Sequence, residues 1–465
     1  MNSRYKYLIK NTTILTISSF SSKLLSFFLV PLYTGILTTA EYGILNIITT
    51  TVFLVIPIVT LNIVQSVMRY SMEQTTQKNE VAHIGLKYLI KSSLIVGIAL
   101  LTCHTIRLIP SIYNFELYIF LYFFTNIFHQ FLIQFTKGIE RVLELGISGI
   151  ITTFVALIAN ILLLVVWQYG MKGFLLAQIL SSLVGILFLS LRIKFWNYLR
   201  DFHINKILEK EMLHYSTPLI ANAVGWWVNS ASDKYIVTYL IGTSANGLLS
   251  VSYKIPTIIS VIESIYSQAW QISAIKEYNK SDSEKFYFYM FFYQQLMMIL
   301  SCSLLILLTK PLAYILFSKD FYVAWQYVPL LLCSNVISSA SGFIGAVLSA
   351  KKDSKTMAKS TIIGALSNII FNTLLIYYVG IQGATIATLI STLIIFFIRR
   401  NSVKNLFKPN TIIKLLILWT LIVLQSVFEI YIPNYYIQIL IILIILFIQR
   451  DTLTQIFKSI LLRKA

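Results

Sequence analysis

Four ionisable residues sit where an apolar chain has least use for them. Asp233 and Lys234 occupy the middle of HYSTPLIANAVGWWVNSASDKYIVTYLI, residues 214–241. Lys254 and Glu263 lie well inside the next apolar run, residues 248–275. A charge at mid-bilayer costs about 2.5–3.5 kcal/mol on insertion scales, so such groups face a bundle interior or a wet cavity. Asn222, Trp226, Asn229 and Asp233 recur at helical steps and form one stripe. Ser250, Lys254, Thr257, Ser264, Gln268 and Gln271 form a second. Lysines in such a place attract phosphate as point charges. Asp233 and Glu263 are candidates to carry a coupling proton or sodium ion. The competing reading is structural, with Asp233–Lys254 or Glu263–Lys234 as interhelical ion pairs.

The elements that must hold these groups are membrane helices. The chain has 465 residues, 57% of them hydrophobic, with a mean hydropathy of +0.77. That excludes a soluble domain. Its apolar runs are continuous, which excludes an alternating β-barrel. Runs of about 20 residues are needed per crossing. The sequence then reads as about fourteen spans, at 8–36, 44–69, 82–104, 112–136, 145–168, 173–198, 213–241, 245–275, 285–309, 322–350, 356–379, 382–399, 411–431 and 435–449. The net charge of +19 does not signal nucleic acid, because the basic residues collect in alternate loops. By the positive-inside rule both termini are cytoplasmic. The first apolar stretch reads as an uncleaved span. Lys87 and Lys91 read as interface anchors, and Cys103, Cys302 and Cys333 as buried thiols. No group of residues has metal-ligand spacing.

The basic stretch Arg192 to Lys210 divides the chain near its middle. Across it, LTTAEYGIL at 37–45 resembles IGTSANGLL at 241–249. Tyr169-Gly170-Met171-Lys172-Gly173 resembles Val379-Gly380-Ile381-Gln382-Gly383, with Ala177 matching Ala387. The near-equal offsets predict a parallel duplication of six spans. The predicted organisation is an N-lobe at 1–200, a cytoplasmic linker at 201–212 and a C-lobe at 213–400. Two extra helices at 401–450 and a basic tail at 451–465 complete it. Further polar stripes carry Thr12, Thr16, Ser19, Lys23 and Ser26 in span 1, then Asn62, Gln65 and Arg69 in span 2. Asn126, Gln130, Gln134 and Lys137 do the same in span 4, where His129 reads as a hydrogen-bonded structural residue. Pro31, Pro57, Pro218 and Pro256 are expected to bend helices, the last beside Lys254.

Several N-terminal motifs carry a family resemblance. Lys10-Asn11-Thr12, Ser22-Lys23-Leu24-Leu25-Ser26, Val30-Pro31-Leu32-Tyr33-Thr34, Glu41-Tyr42-Gly43 and Val67-Met68-Arg69-Tyr70 resemble the opening of bacterial polysaccharide-biosynthesis membrane proteins. These are the Wzx-type oligosaccharide flippases of the multidrug/oligosaccharidyl-lipid/polysaccharide (MOP) exporter superfamily. The resemblance is motif-specific over residues 10–70 and architectural beyond them. It implies an all-α polytopic fold, MATE-like, in the bacterial inner membrane. It also implies alternating access around a cationic cavity and an undecaprenyl-diphosphate-linked oligosaccharide as substrate.

On that reading Lys23, Lys234, Lys254 and Arg69 attract the diphosphate, Lys23 and Arg69 by motif and the two others by position. Arg69 fits topology or headgroup contact equally well, and Lys23 fits snorkelling. Asn222, Trp226, Asn229, Gln268 and Gln271 are expected to line the cavity toward sugars, with Trp227 and Trp270 as further stacking surfaces. Membrane lipids, a polysaccharide polymerase and a chain-length regulator are the expected partners, for O-antigen or capsule synthesis. No phosphate-binding GxxxxGK[ST] loop exists to supply energy from nucleotide, and no cofactor is expected. The rivals are a cation-coupled multidrug exporter, which would favour carboxylates over lysines, a membrane polymerase, which would need a large outer loop, and a passive scaffold.

Overall fold

The structure, a computed structural model, describes residues 27–73, 75–107, 113–200, 205–277, 283–351, 353–404, 409–432 and 434–450. Lys23 and the rest of residues 1–26 lie outside them. Every regular element among the described residues is helical. Two compact units are present, Met1–Ser230 and Ala231–Ala465. The division falls inside one helix.

The first unit contains α1 (Val30–Ile36), α2 (Thr39–Val59), α3 (Ile63–Ser71), α4 (Lys78–Ile106), α5 (Glu116–Gly138), α6 (Val142–Asn160), α7 (Gly170–Arg192) and α8 (Lys206–Ser216). Helix α9 (Pro218–Leu240) crosses the division. The second unit continues with α10 (Thr243–Ser252), α11 (Thr257–Glu277), α12 (Ser283–Leu307), α13 (Thr309–Leu316), α14 (Val328–Ala350), α15 (Ser354–Val379), α16 (Ile381–Asn401), α17 (Pro409–Tyr431) and α18 (Tyr435–Ile448).

Among the described residues ten helices are long and apolar enough to cross a membrane, and the α10–α11 pair is an eleventh if its two pieces form one bent span. Each matches one of the predicted spans. The remaining three predicted spans have separate reasons for falling short. The first lies mostly outside the described residues, α9 is too polar, and α18 is only 14 residues long. The protein is an all-α, multi-pass membrane protein.

Two predicted spans are broken. Residues 44–69 divide into α2 and α3, with Pro57 inside α2. Leu61 and Asn62 both take left-handed backbone, φ 51° and 52°, and the Asn62 amide reaches back to the Pro57 carbonyl at 2.9 Å. Residues 245–275 divide into α10 and α11, bent by 49° at Tyr253–Pro256. The bend expected beside Lys254 is therefore present. Pro31 and Pro218 instead occupy first turns, where a missing N–H costs nothing. The start of predicted span 7 belongs to α8. Asn205 caps α8 by accepting from the Ile207 and Leu208 amides, and Ser66 donates to the Met212 carbonyl at 2.5 Å.

The predicted duplication has a counterpart in each unit's own packing. In the first, α5 packs on α3, α4 and α7, while α6 pairs with α7. In the second, α14 packs on α11, α12 and α16, while α15 pairs with α16. The matched glycines have matched duties. Gly170 and Gly380 turn the chain with φ +52° and +67°. One turn later, Gly173 and Gly383 let the next helix lie against a backbone carbonyl, Leu163 and Leu375 respectively. Ala177 and Ala387 are fully buried in the same seams. Helices α17 and α18 join the second unit through buried polar contacts. Ser303 donates to Gln425 at 2.6 Å, and Trp419 donates to Gln295 at 3.3 Å.

Lys87 takes part in an ion pair within the first unit. Its ammonium meets Glu209 of α8 at 2.6 Å, and Tyr88 donates to the same carboxylate at 2.8 Å. Cys302 and Cys333 are buried, whereas Cys103 is only half-buried. His129 packs against Gly185, and its Nε2 is buried with no partner among the described residues, contrary to the expected hydrogen bond.

Two predictions follow from this packing. Gly383→Ala puts a methyl group onto the Leu375 carbonyl. It is expected to cost about 1–3 kcal/mol, typical of overpacking, and to lower the unfolding midpoint in detergent, while Gly225→Ala, in open space, does not. Partial burial raises the Glu209 pKa, but the Lys87 and Tyr88 hydrogen bonds outweigh it and the net shift is downward. A depressed carboxyl pKa stabilises the docked state above its unfolded value and is lost as pH falls through the folded value. Hydrogen exchange of 206–216 is expected to accelerate below about pH 4, the ordinary Glu range, and at neutral pH in Glu209→Gln.

Candidate functional site

The predicted residues separate into one buried cluster and several dispersed groups. Arg69 ends α3 with an exposed side chain, its Nε 3.6 Å from Glu73. Asn222 and Trp226 are exposed on α9, and Asn229, half-buried, donates to the Gly225 carbonyl at 3.0 Å. The side chains of Gln268 and Gln271 lie outside the described residues, although their backbone continues α11. Glu263 is half-buried on α11, with a carboxylate oxygen against Gly342 of α14. Trp270 is no stacking surface. It is 4% exposed, its ring lies 4.0 Å from Phe343, and its indole donates to the Phe343 carbonyl. Trp227 likewise spends its N–H on the Thr50 carbonyl at 2.8 Å.

The cluster is built around Asp233. This carboxylate is 4% exposed near the centre of α9. Tyr253, at the break between α10 and α11, donates its hydroxyl to Asp233 Oδ2 at 2.5 Å, and the Lys234 amide donates to Oδ1 at 2.9 Å. The Lys234 ammonium lies over the Tyr253 ring, 5.8 Å from its centre. Asp233 is thus paired with a phenol and its own neighbour, not with Lys254, which is half-buried at the bend.

From Asp233 the contacts run in a ring through four helices or their ends. Tyr253 also meets the Thr388 hydroxyl of α16. One turn on, Ser391 hydrogen-bonds the Thr388 carbonyl and accepts from Asn368 Nδ2 of α15 at 3.2 Å. Asn368 Oδ1 accepts from Asn372 at 2.8 Å and from Ser232, beside Asp233, at 3.1 Å. Asn368, Asn372 and Ser391 are all buried, and Asn372 Oδ1 has no partner among the described residues. Tyr253 is the C-cap of α10, with helical backbone angles, and sits where the bend begins.

Chemically this is a buried carboxylate held by a phenol and a backbone amide, with a network of hydroxyls and amides beyond it. Among the described residues no group of three or more His, Cys, Asp or Glu is placed to hold a metal ion. Asn368, Asn372, Thr388 and Ser391 were not among the residues singled out from sequence. The signal was present as steps of four and three in spans 11 and 12. Arg399 was read only as a loop charge, yet it reaches inward from the last turn of α16 to Ser360, Thr361 and the Ser341 carbonyl.

The helix order, the two broken spans and the paired packing define an all-α polytopic membrane fold. It is similar to that of a structure titled lipid II flippase MurJ, inward closed conformation. The TM-score is 0.69 at 15% identity, over 96% of this chain and 100% of that one. An inward-facing MATE family multidrug resistance transporter of the MOP superfamily gives a TM-score of 0.67 at 13% identity, over 83% and 95%. A MOP superfamily transporter from Pyrococcus furiosus, titled for the reverse polarity of its binding pocket, gives 0.56 at 16%, over 87% and 96%. No curated protein matches the chain. Residues 8–271 match the family described as Polysaccharide biosynthesis protein, and the chain belongs to that family.

Tyr253→Phe leaves one oxygen of a buried carboxylate without its donor. It is expected to cost about 1–3 kcal/mol, read as a lower unfolding midpoint, with Ser230→Ala, exposed on the same helix, as the neutral control.

Proposed function

We propose that the chain moves undecaprenyl-diphosphate-linked oligosaccharide repeat units from the cytoplasmic to the outer leaflet of the bacterial plasma membrane. Both termini are then cytoplasmic, and the product feeds a polymerase and chain-length regulator making a surface polysaccharide, O-antigen or capsule. The observation that carries this reading is family membership joined to charge buried inside the membrane. A polysaccharide-biosynthesis protein with a transporter fold holds Asp233 and Lys234 mid-helix and Lys254 at a bend. Lys23, Lys234, Lys254 and Arg69 supply the cations for a diphosphate, and Asn222, Trp226, Asn229, Gln268 and Gln271 face the saccharide. Asp233 takes a proton or sodium ion, and Glu263 is the second coupling candidate. Loss of that ion alters what Tyr253 bonds, and so acts on the hinge of the bent span.

A cation-coupled multidrug exporter is the second reading, supported by the similarity to the MATE transporter fold. The expected cavity holds at least as many lysines, Lys23, Lys234 and Lys254, as carboxylates, Asp233 and Glu263, which argues for an anionic cargo instead.

The deciding experiment locates the intermediate in cells lacking the protein, with an impermeant probe of the outer leaflet. Single lipid-linked repeat units are expected to accumulate facing the cytoplasm. Units that reach the outer leaflet unpolymerised make the protein a polymerase or its partner and end this reading. Asp233→Asn, at matched abundance, is expected to lower translocation at least about tenfold, the equivalent of about 1.4 kcal/mol. Wild-type rates in that variant remove Asp233 from the coupling step.

A further inference from the structure

A second polar feature lies wholly within the first unit, at the break between α2 and α3. A cavity of about 270 Å³ opens there, lined by Phe53, Pro57 and the polar side chains of Thr60, Asn62, Gln65, Gln130 and Gln134. Among the described residues, no charged side chain lines it. We propose that this cavity is a subsite for one uncharged sugar residue of the cargo, an inference that rests on the flippase reading above.

Three observations carry it. The first is composition. Four primary amides converge from α3, its N-cap and α5. Each presents donors and an acceptor, the complement of a sugar hydroxyl, which both gives and takes a hydrogen bond. The second is an orphan. Gln134 Oε1 is buried with no hydrogen-bond partner among the described residues. A buried acceptor left unmade is costly unless something else completes it. The third is the backbone. Leu61 and Asn62, neither a glycine, hold left-handed conformations in succession, and they set Asn62 at the cavity wall instead of continuing a helix. Strain of this kind persists where the surroundings enforce it, and it concentrates at binding sites.

The same features exclude other occupants. Among the described lining residues a phosphate finds no cation and a cationic drug finds no carboxylate. An alkyl chain would strand four amides. Small-molecule sites run upward from about 300 Å³, so this one holds a single ring and not a chain of sugars.

The test uses full-length protein in nanodiscs. Two probes are compared, the lipid-linked repeat unit extracted from cells lacking the protein and bare undecaprenyl diphosphate. Wild type is expected to bind the glycolipid more tightly than the bare carrier. Gln134→Leu and Gln130→Leu are expected to shrink that preference by about tenfold or more, as when a site built to bond a hydroxyl loses its partner. Affinity for the bare carrier stays unchanged. Hydrogen exchange on the wild type gives an independent readout, with the glycolipid, and not the bare carrier, protecting residues 57–66 and 127–137. Unaltered preference in both variants, or equal protection by both probes, overturns the subsite and leaves translocation standing. If wild type binds neither probe, the flippase reading falls and the subsite with it.

Discussion

A carboxylate in the middle of a membrane helix has no water to fall back on, so the protein must supply every hydrogen bond it needs. Asp233 sets that demand for the second unit. The phenol of Tyr253 meets it, from the end of α10 where the span bends at Tyr253–Pro256. The next links, through Thr388, Ser391 and Asn368 back to Ser232, explain why small polar residues occupy the seam between α15, α16 and α9. A hinge, a helix pairing and a buried charge are three views of one accounting problem.

The first unit solves a similar break by different means. Its interrupted span carries amides where the second unit carries a charge, and the strain sits in Leu61 and Asn62 rather than in a 49° bend. The two units thus differ at the place where their helices are discontinuous. Discontinuity is also where main-chain carbonyls are released in a membrane, so polar ligands are most easily accommodated there.

The sequence was most legible where a single physical rule acts alone. Apolar run length located the crossings, and the glycines of the duplicated turn, Gly173 and Gly383, could be matched because only a hydrogen side chain fits against a carbonyl. It was less legible where two rules compete. Leu213 to Ser216 looks apolar enough to begin a span, but Ser66 and Glu209 hold that stretch in a separate helix. Periodicity found the stripe through Asp233, yet helical spacing ranks neither exposure nor partner. Trp226 and Asp233 share a face, and one is open while the other is enclosed. Trp270 reads as a sugar platform by residue type and proves to be core by its contact with Phe343. Asn368 and Asn372 were missed because a pair of amides in an apolar span is a weak signal until its partners on two other helices are known.

The carbonyl contacts at Gly173 and Gly383 bear on how such a chain is made. Each joins neighbours in sequence, α7 with the π-helical extension of α6 at Ile161–Val166 and α16 with α15, across a turn of only a few residues. Loop closure is then inexpensive, and the pair can zip together without waiting for distant helices. A nascent chain leaving the insertion machinery would release these helices as hairpins already packed. The polar ring around Asn368 could not close until α9 and Tyr253 were also in place. Biogenesis therefore has a natural order, local apolar hairpins before long-range polar locks.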